Sequence, residues 1–132
     1  MKLLISLLLL LTLGGCAAGK PETDTFRRIS TQEAAVLMAQ ETDYIILDVR
    51  TQEEYDAGHI PNAICIPNET IGNDVIPALP NKEQLILVYC RSGNRSKQAA
   101  GKLVQQGYTN IVEFGGILDW QGEIVTQAPH KS

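Results

Sequence analysis

Leu85-Ile86-Leu87-Val88-Tyr89-Cys90-Arg91-Ser92-Gly93-Asn94-Arg95-Ser96 is the segment from which the rest of this 132-residue chain can be placed. Residues 85–89 form a continuous, partly β-branched apolar run, the pattern of a strand buried on both faces. The run ends on a cysteine. Six polar or small residues follow, with Gly93 free to take a positive φ. Residues 97–106 then read as a helix with Ala99, Ala100, Leu103 and Val104 on one face and Gly107 as its stop. A loop closing onto a helix N-terminus gathers backbone N–H groups around about half a positive charge. Arg91 and Arg95 add two full charges. Such surroundings lower a thiol pKa to about 3.5–7.5, so Cys90 is expected to be largely thiolate at neutral pH.

On either side, apolar runs alternate with helical patterns. Ser30-Thr31-Gln32-Glu33 is a capping box opening a helix to about Gln40, with Ala34, Val36, Leu37 and Met38 inward. Residues 44–49 make a strand carrying Asp48 near its end. Thr51-Gln52-Glu53-Glu54 caps a short helix that stops at Gly58. Residues 63–66 are a third strand, closed by Pro67. Residues 68–81 are a polar loop with a short helix expected at 74–79, and residues 110–114 are the last strand. Gly115-Gly116 then turns the chain into a short helix containing Trp120. This alternation predicts one α/β domain with a mainly parallel central sheet of about five strands, flanked by helices, over residues 29–127. Ligands of such sheets bind at the carboxyl ends of the strands, where Cys90, Asp48 and Arg50 fall.

The N-terminus is read as a separate segment. Lys2 precedes an apolar run over residues 3–13, short for a membrane span of about 20 residues but suited to a signal-peptide core. Leu13-Gly14-Gly15-Cys16 resembles the bacterial lipobox, so residues 1–15 are expected to be removed and Cys16 lipidated, with an ordinary secretory signal as the alternative. Residues 16–28 would be a tether, and residues 128–132 a polar tail. Lipid chains at Cys16 would anchor the protein to a membrane in the cell envelope. With Ala17 after it, the expected place is the periplasm-facing outer membrane where two membranes exist. The whole chain has a formal charge of −4. Without basic runs, this excludes nucleic acid as an expected partner.

Several motifs occur in an order that resembles the rhodanese (thiosulfate sulfurtransferase) family. Asp48-Val49-Arg50, Glu54-Tyr55, Gly58-His59-Ile60-Pro61, Ala63 and Ile66-Pro67 are similar to its first signature, and residues 89–96 to its active-site loop. Gly115-Gly116 with Trp120 is similar to its third. The resemblance covers roughly residues 29–125 in a single copy, with one departure: the proline often found after the last tryptophan is absent from Glu123-Ile124-Val125.

The resemblance implies a double displacement. Cys90 would take the sulfane sulfur of thiosulfate or a persulfide and hold it as its own persulfide. An acceptor (cyanide, a thiol or a dithiol protein) would then collect it. Arg91, Ser92, Gly93, Asn94, Arg95 and Ser96 would bind the small anionic donor and the persulfide, with Arg95 also bracing the loop. Asp48 and Arg50 would support the site by a charge-assisted bond. No cofactor or metal is called for, and a monomer is expected. The rival enzyme class is a Cys-based phosphatase or arsenate reductase, whose loops resemble Cys-x5-Arg. Here the spacing is Cys-x4-Arg, a smaller ring that suits one sulfur better than a tetrahedral phosphate. A non-catalytic sulfur carrier or binding module is the other alternative. Cys65 is expected to be an inert buried thiol rather than a resolving partner for Cys90. His59 is read as part of a structural turn, His130 as idle in the tail, and Trp120 as a core plug.

Overall fold

The structure, a computed structural model, describes residues 25–127. The signal, Cys16 and His130 readings therefore lie outside the described residues. Five strands, β1 (Arg27–Arg28), β2 (Tyr44–Asp48), β3 (Ile64–Cys65), β4 (Leu85–Cys90) and β5 (Ile111–Gly116), form one sheet in the order β1-β5-β4-β2-β3. Every neighbouring pair is parallel. The helices are α1 (Thr31–Gln40), α2 (Gln52–Ala57) and α3 (Asn94–Gln105). Both expected capping boxes are present: Ser30 and Thr51 accept from the N–H groups of Glu33 and Glu54, whose side chains reach back to the cap backbone.

Alternation along the strands sorts the core into two layers. Ile86, Val88 and Cys90 of β4 face the layer that contains Ala99, Ala100 and Leu103 of α3. Leu87 and Tyr89 face the other, with Ala34 of α1, Val112 and Phe114. Successive strands lie on opposite sides of the β2–β4 pair: β3 continues outward from β2, and β5 outward from β4. The chain direction thus diverges between β2 and β4, and the carboxyl ends of these strands open the crevice that such a divergence creates.

Four expectations need correction. The segment read as a tether enters the sheet at its end: Arg27 and Arg28 pair with Val112 and Glu113, and Phe26 packs against the core. A strand of two exposed arginines carries no apolar alternation to read. Helix α3 starts at Asn94 rather than Lys97, because Gly93 at φ 114° serves as its N-cap without any capping side chain. Val36 is 55% exposed, since only Ala34 and the half-buried Leu37 and Met38 reach the sheet. Residues 74–79 hold turns and bends, not a helix, and the only helical turn in that loop is a 3-10 turn at Asn68–Thr70.

Candidate active site

The alternation of β4 aims Cys90 at the α3 side of the sheet, and the next three residues turn the chain directly into that helix. Cys90 is 1% exposed, so its sulfur sits at the floor of the loop. The Gly93 N–H donates to Sγ at 3.0 Å, and Ser96 Oγ lies 3.4 Å away. Burial alone pushes the thiol pKa up. Hydrogen bonds from the Ser96 hydroxyl and from the backbone N–H groups of Ser96, Gly93 and Ser92 outweigh it, and the net shift is downward. The Gly93 N–H and the Ser96 hydroxyl thus lie against the sulfur where the loop enters α3.

Two glycines make the cradle possible. Gly93 takes φ 114°, a conformation that L side chains rarely adopt, where the chain turns from the sulfur into α3. Gly116 has ordinary extended geometry, but a Cβ there would lie 1.9 Å from Arg91 O. The end of β5 therefore passes directly beneath the loop. The register between β4 and β5 slips at this point: Val88 pairs with Glu113 and Cys90 with Gly116, so β5 carries one extra residue, a bulge of the kind that re-aims side chains beside active sites. Gly115-Gly116 is accordingly part of the strand, and the 3-10 turn that follows, Ile117–Asp119, stops just before Trp120. Trp120 is half-buried against the core, 6.1 Å from the Phe114 ring, and only partly fills the role of a plug.

The two arginines of the loop differ. Arg91 is exposed. Arg95 is clamped by Glu54 of α2, Nη1 to Oε1 at 2.6 Å and Nη2 to Oε2 at 3.0 Å. That clamp holds the Glu54 carboxyl down at about 2. Arg95 thus links the first turn of α3 to α2. Ser92 and Asn94 are exposed at the rim, Asn94 as the first residue of α3.

Asp48 and Arg50 lie on the opposite face, where they form a buried support. Arg50 Nε and Nη2 grip both Asp48 oxygens at 2.7–3.1 Å. Arg50 Nη2 also donates to Gly58 O at 2.6 Å. The Tyr89 hydroxyl donates to Asp48 Oδ2 at 2.8 Å and accepts from the Ile60 N–H at 3.1 Å. This network ties the ends of β2 and β4 to the 58–60 turn. His59 belongs to the same turn: it stacks on Tyr55 at 3.7 Å, and its Nδ1 lies 2.8 Å from Tyr55 O. These contacts hold the ring within the turn.

Cys65 is half-buried rather than fully buried, and burial pushes its thiol up to about 11. It pairs with Asp48, which pairs with Tyr89. Two strand spacings of about 4.8 Å thus separate it from β4, beyond the roughly 7 Å that a disulfide spans between Cα atoms. Among the described residues no cluster of His, Cys, Asp or Glu could hold a metal.

Sequence reading missed two contributors. The Tyr89 hydroxyl, taken as part of an apolar run, is a keystone of the support. Glu113 is 1% exposed, on the same face as Cys90, with Oε1 2.7 Å from Ser96 Oγ. A lone acid inside an apolar strand was the available signal, as it was for Asp48.

Comparison with known proteins agrees with this geometry. The rhodanese-like domain family matches residues 30–123. The thiosulfate sulfurtransferase PspE of Escherichia coli (strain K12) is 37% identical over 73 residues, covering 55% of this chain and 70% of its own length. An adenylyltransferase and sulfurtransferase, UBA4 of Candida albicans, is 32% identical over 125 residues, and the chain spans only 28% of its length. A solved structure described as rhodanese with anions from E. coli superposes with a TM-score of 0.59 at 33% identity, covering 64% of this chain and 99% of that one.

Proposed function

This chain belongs to the rhodanese-like sulfurtransferase family, and from that premise we propose that Cys90 carries a sulfane sulfur from a small anionic donor, thiosulfate or a persulfide, to a thiophilic acceptor. The Cys90 thiolate attacks the donor's outer sulfur. A new S–S bond forms at Sγ, the donor's own S–S bond breaks, and sulfite or a thiolate leaves with the electron pair. The terminal persulfide sulfur carries the negative charge and is held by loop N–H groups in the manner of an oxyanion hole. Cyanide, a thiolate or a reduced dithiol protein then attacks that sulfur, and the Cys90 thiolate leaves. The cradle lowers the Cys90 pKa, which favours the thiolate as the nucleophile. Arg91 is the cation offered to the donor, because Arg95 is committed to Glu54.

The observation that carries this reading is the buried Cys90 Sγ at a strand-to-helix turn, with the Gly93 N–H at 3.0 Å and the Ser96 hydroxyl at 3.4 Å. The four-residue spacing to Arg95 and the occupation of Arg95 by Glu54 weigh against a phosphatase loop, which needs a free guanidinium for a tetrahedral anion. Lipidation at Cys16 and a place in the cell envelope, as a monomer on residues 16–26, complete the proposal. The test is thiosulfate:cyanide sulfurtransferase activity of the wild type and of Cys90→Ser. Thiocyanate from the wild type alone is expected. Phosphatase turnover without thiocyanate would overturn the reading, and a protein that gains sulfur but never releases it would make it a carrier.

A further inference from the structure

Arg95 stands in the first turn of α3, and its guanidinium is committed to one partner. Both Glu54 oxygens take it, at 2.6 and 3.0 Å. The two side chains are 27% and 29% exposed, so solvent screens this pair less than it would on an open surface. Glu54 above all raises the Arg95 pKa, against the lowering by burial, and Cys90 and Glu69 add to the rise. Glu69 belongs to the 3-10 turn Asn68–Thr70. Arg91, the other guanidinium of the loop, is exposed and pairs with no carboxylate among the described residues. Lys97 lies two residues beyond Arg95, and so about 200° round the helix from it.

Thiosulfate, like phosphate, is a tetrahedral dianion, and a site that gripped it firmly would offer both guanidinium groups. Here Glu54 removes one of them. Beside the one that is left stands an apolar side chain. The Leu118 N–H donates to Arg91 O at 3.2 Å, and Leu118 is 63% exposed. From this arrangement we infer that Glu54 is a specificity-determining residue, which by holding Arg95 turns the site from thiosulfate toward organic sulfane donors, thiosulfonates and organic persulfides, with one negative charge on the reacting group. Arg91 meets that charge, and Leu118 meets the organic substituent.

The inference rests on Cys90 as the sulfur-carrying nucleophile and names the class of donor. With a thiosulfonate, R–SO2–S−, a new S–S bond forms between Cys90 Sγ and the outer sulfur, and the bond from that sulfur to the sulfonyl sulfur breaks. The sulfinate R–SO2− leaves with the electron pair, and the transferred sulfur keeps its negative charge as the Cys90 persulfide. One charge departs where thiosulfate would release two as sulfite. Glu54 touches no reacting atom and acts through Arg95.

The test is kcat/KM for benzenethiosulfonate and for thiosulfate, with cyanide as acceptor at fixed ionic strength, in the wild type, Glu54→Gln and Leu118→Ser. Glutamine also completes a capping box, so α2 keeps its start, but one amide oxygen cannot take both guanidinium N–H groups. Comparing the donor ratio between proteins cancels the donors' intrinsic reactivities. Glu54→Gln should raise kcat/KM for thiosulfate relative to benzenethiosulfonate by about tenfold, through KM, the order of one charge-assisted hydrogen bond. Leu118→Ser should raise KM for benzenethiosulfonate several-fold and leave thiosulfate unchanged. A loop merely loosened by loss of Glu54 would lower kcat for both donors alike. An unchanged ratio in Glu54→Gln would therefore overturn the inference, as would an unchanged KM for benzenethiosulfonate in Leu118→Ser. One arm needs no variant: methanesulfonate should compete with benzenethiosulfonate for the wild type more strongly than sulfate does, and equal or reversed inhibition would refute the charge preference. Thiocyanate from neither donor in the wild type would overturn sulfur transfer itself, and this inference with it.

Discussion

Tyr89 and Cys90 are adjacent, yet they point to opposite faces of the sheet and do different work. Tyr89 joins Asp48 and Arg50 in a buried support, and Cys90 is the proposed nucleophile. Removing one partner of a buried ion pair leaves the other charge uncompensated, typically at about 3–5 kcal/mol. Asp48→Ala should therefore lower unfolding free energy by that order in denaturant titration, while Arg50→Lys, which keeps charge but loses the bidentate grip, should cost less. Gly116→Ala places a methyl group 1.9 Å from Arg91 O, so the loop must move. We expect sulfur transfer to fall far more than stability, because overpacking costs about 1–3 kcal/mol and a displaced donor about a hundredfold in rate. Wild-type turnover in Gly116→Ala would refute this close approach. Cys65→Ala should retain full turnover, and mass mapping under oxidation should find no Cys65–Cys90 crosslink in the wild type. These side-chain roles were partly legible. Cys90, Asp48 and Arg50 stood out because a polar residue ends an apolar run, but Gly116 and Glu113 act through strands distant in sequence, and no local pattern shows which backbone passes under which loop.

At the scale of elements, the capped helices and the longer strands could be read from sequence because each carries its own signal: a capping box, or an unbroken apolar run. Helix α3 began early and β1 was missed because their signals are tertiary. Gly93 caps by conformation, and Arg27–Arg28 is a strand only because β5 offers it an edge. The tie between α2 and the active-site loop is also tertiary, and it is electrostatic. Glu54 is an acid whose folded value is lowered, from 4.5 to about 2, by its hydrogen bonds to Arg95. A lowered folded pKa gives a contribution that is complete above the unfolded value and is lost as pH falls through the folded one. The tie should therefore hold at neutral pH and weaken between about 4.5 and 2. Protection factors against hydrogen exchange at residues 91–96, which divide out the intrinsic pH dependence, should fall across that window in the wild type. In Glu54→Gln they should already be low at pH 6, and equal protection in the two proteins would contradict the clamp.

Across the whole molecule, the order β1-β5-β4-β2-β3 explains why one short loop suffices. The carboxyl ends of β2 and β4 open side by side, so a single strand-to-helix turn after β4 meets braces arriving from β2, α2 and β5. Apolar runs alternating with helices were enough to foresee the parallel sheet and the end at which the site lies. They could not give the pairing order, which depends on packing between layers. In the proposed reaction the chemistry concentrates in one atom, Cys90 Sγ, and one charge that its cradle must hold. The most direct test is the intact mass of the protein after brief exposure to thiosulfate, before and after adding cyanide, with Cys90→Ser beside it. The wild type should gain the mass of one sulfur atom, mapped to the Cys90 peptide, and lose it to cyanide as thiocyanate, and the variant should gain none. A wild type that stays at its original mass, or a variant that gains sulfur equally, would contradict the assignment of Cys90 as the sulfur-carrying residue.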